Sequence, residues 1–167
     1  YKPLKVKHTI SPSMDIQVSS NFERQVFESL NRDSNQLIYI MEAFMSHGNY
    51  SFSAAMIQDL QSIYNPHSVS NEQTLETIKK FKNKYDYLAD PHSATGLHIL
   101  DQYQSDSPLV SLACAHPAKF GDAIEKAIGQ KPTFPEQLKN VFDKEEKFTI
   151  INNQTEEVKK HIFQNIL

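Results

Sequence analysis

Leu112 to Phe120 reads L-A-C-A-H-P-A-K-F and places a thiol, an imidazole and an ammonium close together in the chain, at Cys114, His116 and Lys119. The apolar run from Pro108 to Ala113 precedes them and has the length of one buried strand, opened by the polar turn Gln104-Ser-Asp-Ser107. Pro117 follows, and Ala118, Phe120, Ala123, Ile124, Ala127 and Ile128 recur at helical spacing up to a stop at Gly129. A strand that feeds a helix N-terminus in an open α/β sheet is where small anionic ligands bind. A structural reading of the same residues stands beside this one, with Cys114 as a small hydrophobe, His116 as a cap and Lys119 as a solvated first-turn cation.

Two further stretches carry polar groups at helix starts. Tyr85-Asp-Tyr-Leu-Ala-Asp-Pro-His92 runs from a short apolar segment into Asp90, an N-cap candidate, and a helix using Ala94, Leu97, Ile99 and Leu100. His92 and Ser93 fall in its first turn, where a charged imidazole is unfavourable, so His92 is either neutral or faces an anion. The other stretch, Ser11 to Arg24, reads S-P-S-M-D-I-Q-V-S-S-N-F-E-R. Its second half starts a helix, with Ser19 or Ser20 as N-cap and Glu23 completing a capping box with Ser20. Asp15, Asn21 and Arg24 could cap and pair with one another or serve a ligand. Arg24 in a first helical turn runs against the dipole preference, which an anionic partner would explain.

The elements that must position these groups are mostly helical. Residues 4–10 alternate and predict a strand ending at Ser11-Pro12. Helices are predicted from Ser34 to His47 with Gly48 as C-cap, from Ala54 to Tyr64 behind Ser53, and from Glu72 to about Tyr85. A short helix from Glu136 to Phe142, a β-like run at Phe148-Thr-Ile-Ile151 and a last helix from Glu156 to Ile166 complete the chain. The chain opens at Tyr1 directly into the alternating segment, a strand that calls for neighbours, and so reads as part of a longer protein.

Composition removes several classes of function. The 167 residues are 39% hydrophobic and 22% charged, with a net charge of −3 and no block of like charge, which gives nucleic acid or a membrane surface nothing to recognise. No apolar run approaches a bilayer span and no secretory leader pattern opens the chain, so a cytoplasmic location is expected. One cysteine rules out an internal disulfide framework, and the seven histidines contain no H-x-x-x-H pair, so no metal site is expected. The four glycines, Gly48, Gly96, Gly121 and Gly129, are too scattered for a phosphate-cradling loop.

Three segments in order and register, S-P-S-M-D-I-Q-V-S-S-N-F-E-R at 11–24, D-P-H-S-A-T-G at 90–96 and A-C-A-H-P-A-K-F at 113–120, resemble the C-terminal part of threonine synthase. The resemblance implies an α/β, helix-rich segment of a fold-type II pyridoxal-phosphate enzyme of the tryptophan synthase β group, with few short strands and packed helices. Residues 1–167 would then be a single C-terminal segment of the large domain. It implies conversion of O-phospho-L-homoserine and water to L-threonine and phosphate, with pyridoxal 5'-phosphate held as an imine by a lysine. No lysine here matches that imine-forming position, so the resemblance places it outside this chain and predicts a chain that is inactive alone. Cys114 matches a position where the family usually has Thr facing the pyridine nitrogen, and a thiol is the weaker hydrogen-bonding group. Asp90, His92, His116 and Lys119 are implied on the cofactor side, and Ser13, Asp15, Asn21 and Arg24 on the substrate side. Self-association through uncovered surfaces is also expected. Two alternatives remain open in the sequence: a stand-alone helical module binding a protein or small anion, and a segment of another fold-type II lyase such as threonine dehydratase or cysteine synthase.

Overall fold

The structure, a computed structural model, describes residues 1–165. It contains seven α-helices: α1 (Ser20–Ser29), α2 (Ser34–His47), α3 (Ala54–Ile63), α4 (Asn71–Tyr85), α5 (Pro91–Leu100), α6 (Gly121–Ile128) and α7 (Thr155–Asn165). The chain forms two compact units, Tyr1–Thr133 and Phe134–Leu167.

In the first unit α4 packs against both α5 and α6. Ile78, Ala89, Ala94, Ile124 and Ala127 form the buried centre, with Leu75, Leu88, Leu97 and Ile128 around it. Ala94 on α5 and Ala127 on α6 let these helices approach Ile78 of α4, and Ile78 and Ile124 are both fully buried. Helix α1 packs on α2 and α3. Beside them Tyr1 stacks on Phe44 at 4.3 Å between ring centroids, and Phe22 and Phe52 join the same aromatic cluster.

Local chemistry sets the helix ends. Ser53 accepts from Met56 N, and Asp33 from Asn35 N and Gln36 N. Ser70 and Gln73 form a reciprocal capping box that starts α4. Gly48 and Gly129 close α2 and α6 in the left-handed region, at φ 69° and 76°.

Several local expectations need correction. No strand occurs among the described residues, so 4–10, 108–113 and 148–151 are irregular segments. In the first of these, side chains take the backbone donors a ladder would use: Leu4 N donates to Gln17 Oε1, Thr9 N to Asp15 Oδ2 and Ile10 N to Asn71 Oδ1. Alternation supplies a face, but a strand also requires a partner. Helix α1 has Ser19 as N-cap with no side-chain capping bond, so the Ser20–Glu23 box does not form. Pro117 begins a 3-10 turn to Phe120, and α6 proper starts at Gly121. Residues 136–143 form two 3-10 turns, Glu136–Leu138 and Val141–Asp143, instead of one helix. The predicted end of the last helix at Ile166 lies outside the described residues.

Candidate functional site

The N-terminus of α5 organises the site. Asp90 is its N-cap, 1% exposed, and its two carboxylate oxygens divide their work. Oδ1 accepts from His92 N at 2.9 Å, His92 Nδ1 at 3.1 Å and Ser93 N at 3.4 Å. Oδ2 accepts from Ser93 Oγ and, at 3.3 Å, from Ala115 N. Ser93 Oγ in turn accepts from Cys114 N at 2.8 Å. One carboxylate and one hydroxyl therefore fix consecutive amides of the Cys114 segment against α5.

His92 extends the network to the chain's first loop. With Nδ1–H donating to Asp90, Nε2 accepts from Ser13 N at 3.3 Å, which is the neutral tautomer that suits a first helical turn. Its ring lies against Phe120, centroids 4.8 Å apart, so it is buried on the side of the 117–120 turn as well. The Ser13 loop is held from its other end by Asp15, which accepts from Thr9 N at 2.7 Å and Thr9 Oγ1 at 2.8 Å. The Thr9 backbone N–H, then its hydroxyl, and then the fields of His8 and His92 hold the Asp15 carboxyl below the usual aspartate range, outweighing a smaller opposing contribution from burial.

Cys114, His116 and Lys119 are exposed at the edge of this network. Among the described residues the Cys114 Sγ reaches only the Leu112 carbonyl, at 3.5 Å, which leaves the thiol free to turn toward a ligand. His116 caps the 117–120 turn, its Nδ1 accepting from Ala118 N at 3.1 Å, so the neutral ring carries its proton on Nε2. Lys119 Nζ lies 5.8 Å from the Phe120 ring centroid. Ser111 Oγ is buried without a hydrogen-bond partner among the described residues, and a Cβ at Gly96 would meet it at 2.7 Å. Glycine at 96 thus lets the 108–114 segment lie close on α5.

The structure brings Ser13, Asp90, His92 and Cys114 into one hydrogen-bonded system, with Asp15 bracing the adjoining loop through Thr9 and with His116 and Lys119 beside it. Asn21 and Arg24 stand apart from it on α1. Asn21 lines an apolar groove with Phe22, Leu60 and Tyr64, and the Arg24 side chain makes no ion pair among the described residues. Ser93 and Thr9 are central here and were not singled out as site residues from sequence. Ser93 sits three positions after an Asp N-cap, the spacing at which a hydroxyl reaches back to the cap, so its signal was present. Thr9 had none.

Residues 93–162 match the family model described as "Threonine synthase, C-terminal". Threonine synthase from Pseudomonas aeruginosa is 36% identical over 94% of this chain, and that of Saccharomyces cerevisiae 32% identical over 98%. The structure of a PLP-bound threonine synthase from Brucella melitensis superposes with a TM-score of 0.84 at 36% identity, over 98% of this chain and 36% of that one. The chain belongs to the threonine synthase family. The yeast threonine synthase structure agrees, with a TM-score of 0.77 at 29% identity over 98% of this chain and 38% of that one. The chain spans about a third of the length of its relatives, 34% of the Pseudomonas protein and 37% of the Saccharomyces protein, and its helix-rich fold is that of the C-terminal part of threonine synthases. No described helix is long and apolar enough to cross a membrane, and no described cluster of His, Cys, Asp and Glu could hold a metal ion.

Proposed function

We propose that this chain forms the C-terminal wall of a threonine synthase active site, converting O-phospho-L-homoserine and water to L-threonine and phosphate with pyridoxal 5'-phosphate. The observation that carries the reading is the single network joining the three segments that resemble the family: 11–15 through Ser13, 90–93 through Asp90 and Ser93, and 114–115 through its amides. Residues 1–167 belong on this reading to one large domain of the parent enzyme, working in the cytoplasm on a small-molecule substrate.

The residues present fit such a cofactor in part. The Cys114 thiol is exposed, unencumbered and able to face a pyridine nitrogen, with His116 and Lys119 at the same edge. When bound, the cofactor supplies an electron sink for carbanionic chemistry at the substrate. Cys114 would meet its ring. Asp90 and His92 act from behind, since both are buried and their polar atoms are engaged within the protein. Ser13 and Asp15 would border the substrate side; Asn21 and Arg24, apart from the network on α1, would face it from that helix, Arg24 toward a substrate anion. The imine-forming lysine comes from outside this chain. No described lysine is buried, and Lys119, beside Cys114 and His116, is exposed.

The full-length protein containing this chain should release threonine and phosphate in equal amounts from O-phospho-L-homoserine, and the chain alone should release neither. Turnover by the chain alone would refute the reading, as would a full-length protein that eliminates or hydrates other hydroxy-amino-acid derivatives and leaves O-phospho-L-homoserine untouched.

A further inference from the structure

We infer that Asp90 is a positioning residue that couples the cofactor-facing segment at Cys114 to the substrate-side loop at Ser13. The inference rests on the placement of Cys114 and Ser13 proposed above. Its basis is the division of labour between the two oxygens of one buried carboxylate. Oδ2 acts on Cys114 and Ala115, by way of Ser93 Oγ and directly on Ala115 N at 3.3 Å. Oδ1 holds the His92 ring at 3.1 Å, which fixes the tautomer whose Nε2 accepts from Ser13 N at 3.3 Å. Ser93 and His92 are thus separate arms from a common hub, and each arm ends on the backbone of a different loop. Such a hub sets where the thiol lies relative to the substrate loop without touching either ligand. An asparagine in its place would turn an amide NH2 toward one set of donors, so one arm would lose its acceptor and the other would lose charge-assisted strength.

The arms can be cut singly. In the full-length, cofactor-loaded protein, Ser93→Ala should speed amide hydrogen exchange in 112–117 by about tenfold, leave 9–16 unchanged, and weaken cofactor binding with little change in substrate KM. His92→Ala should speed exchange in 9–16 and raise KM, and leave exchange in 112–116 unchanged. Asp90→Asn should produce both sets of changes. If Asp90→Asn is too unstable to purify, the two single-arm variants still decide the matter. Loosening of both loops by either one would mean that α5 merely frays, and would overturn the inference. The exchange pattern is read without substrate. Its failure therefore counts against the coupling alone, whereas correct exchange with unmoved cofactor affinity and KM would count against the proposed function.

Discussion

At the residue scale, Cys114 and Asp15 make the sharpest predictions. Cys114 offers a thiol where a hydroxyl would bond more strongly, and among the described residues only the Leu112 carbonyl competes for it. Cys114→Ser in the full-length protein should tighten pyridoxal-phosphate binding by about threefold to tenfold, the worth of a modest hydrogen-bond gain, measured by cofactor titration. Unchanged or weaker binding would show that the side chain does not meet the ring. Asp15 has its carboxyl held low in the folded protein by Thr9. A lowered folded-state value means that the contribution is present above the ordinary aspartate range near about 3.9 and is lost as pH falls through the depressed value. Amide protection of Thr9 should therefore be lost only as pH falls through that depressed value, below the ordinary aspartate range, and Asp15→Asn should remove that pH dependence. Protection that persists in acid would contradict the assignment.

At the scale of elements, the sequence was most legible where a residue pattern contains its own closing condition. Gly48 and Gly129 stop helices because only a left-handed residue lets the chain turn off there, and Ser53 and Asp90 start them because their side chains fill the free amides. Those requirements are local. The segments 4–10, 108–113 and 148–151 were misread because a strand depends on a neighbour that alternation does not specify. The site was legible in the same graded way. Asp90 and His92 stood out by type and position, yet the link from His92 to Ser13, 79 residues away in sequence, is a tertiary fact. The capping box at Ser70 and Gln73 tests the local account. Ser70→Ala should lower the stability of the first unit by about 1 kcal/mol in chemical denaturation, and no change would mean that α4 is held by packing alone.

At the scale of the whole molecule, the exposed apolar surface carries the next prediction. Leu4, Val110, Leu112, Phe148 and Ile150 are each more than two-thirds exposed. We propose that the purified chain self-associates through such surfaces. Sedimentation should show weight-average mass rising with concentration, and a concentration-independent monomer that binds no hydrophobic dye would count against it. On the proposed reading this chain supplies a wall of a pyridoxal-phosphate site while the lysine that holds the cofactor lies elsewhere. The most direct test is to load the full-length protein and the isolated chain with pyridoxal phosphate, reduce each with borohydride, and map the modified lysine by mass spectrometry. The account predicts one stoichiometric site in the full-length protein outside residues 1–167, and only scattered, substoichiometric labelling of the chain. A single stoichiometric lysine within residues 1–167 would contradict it.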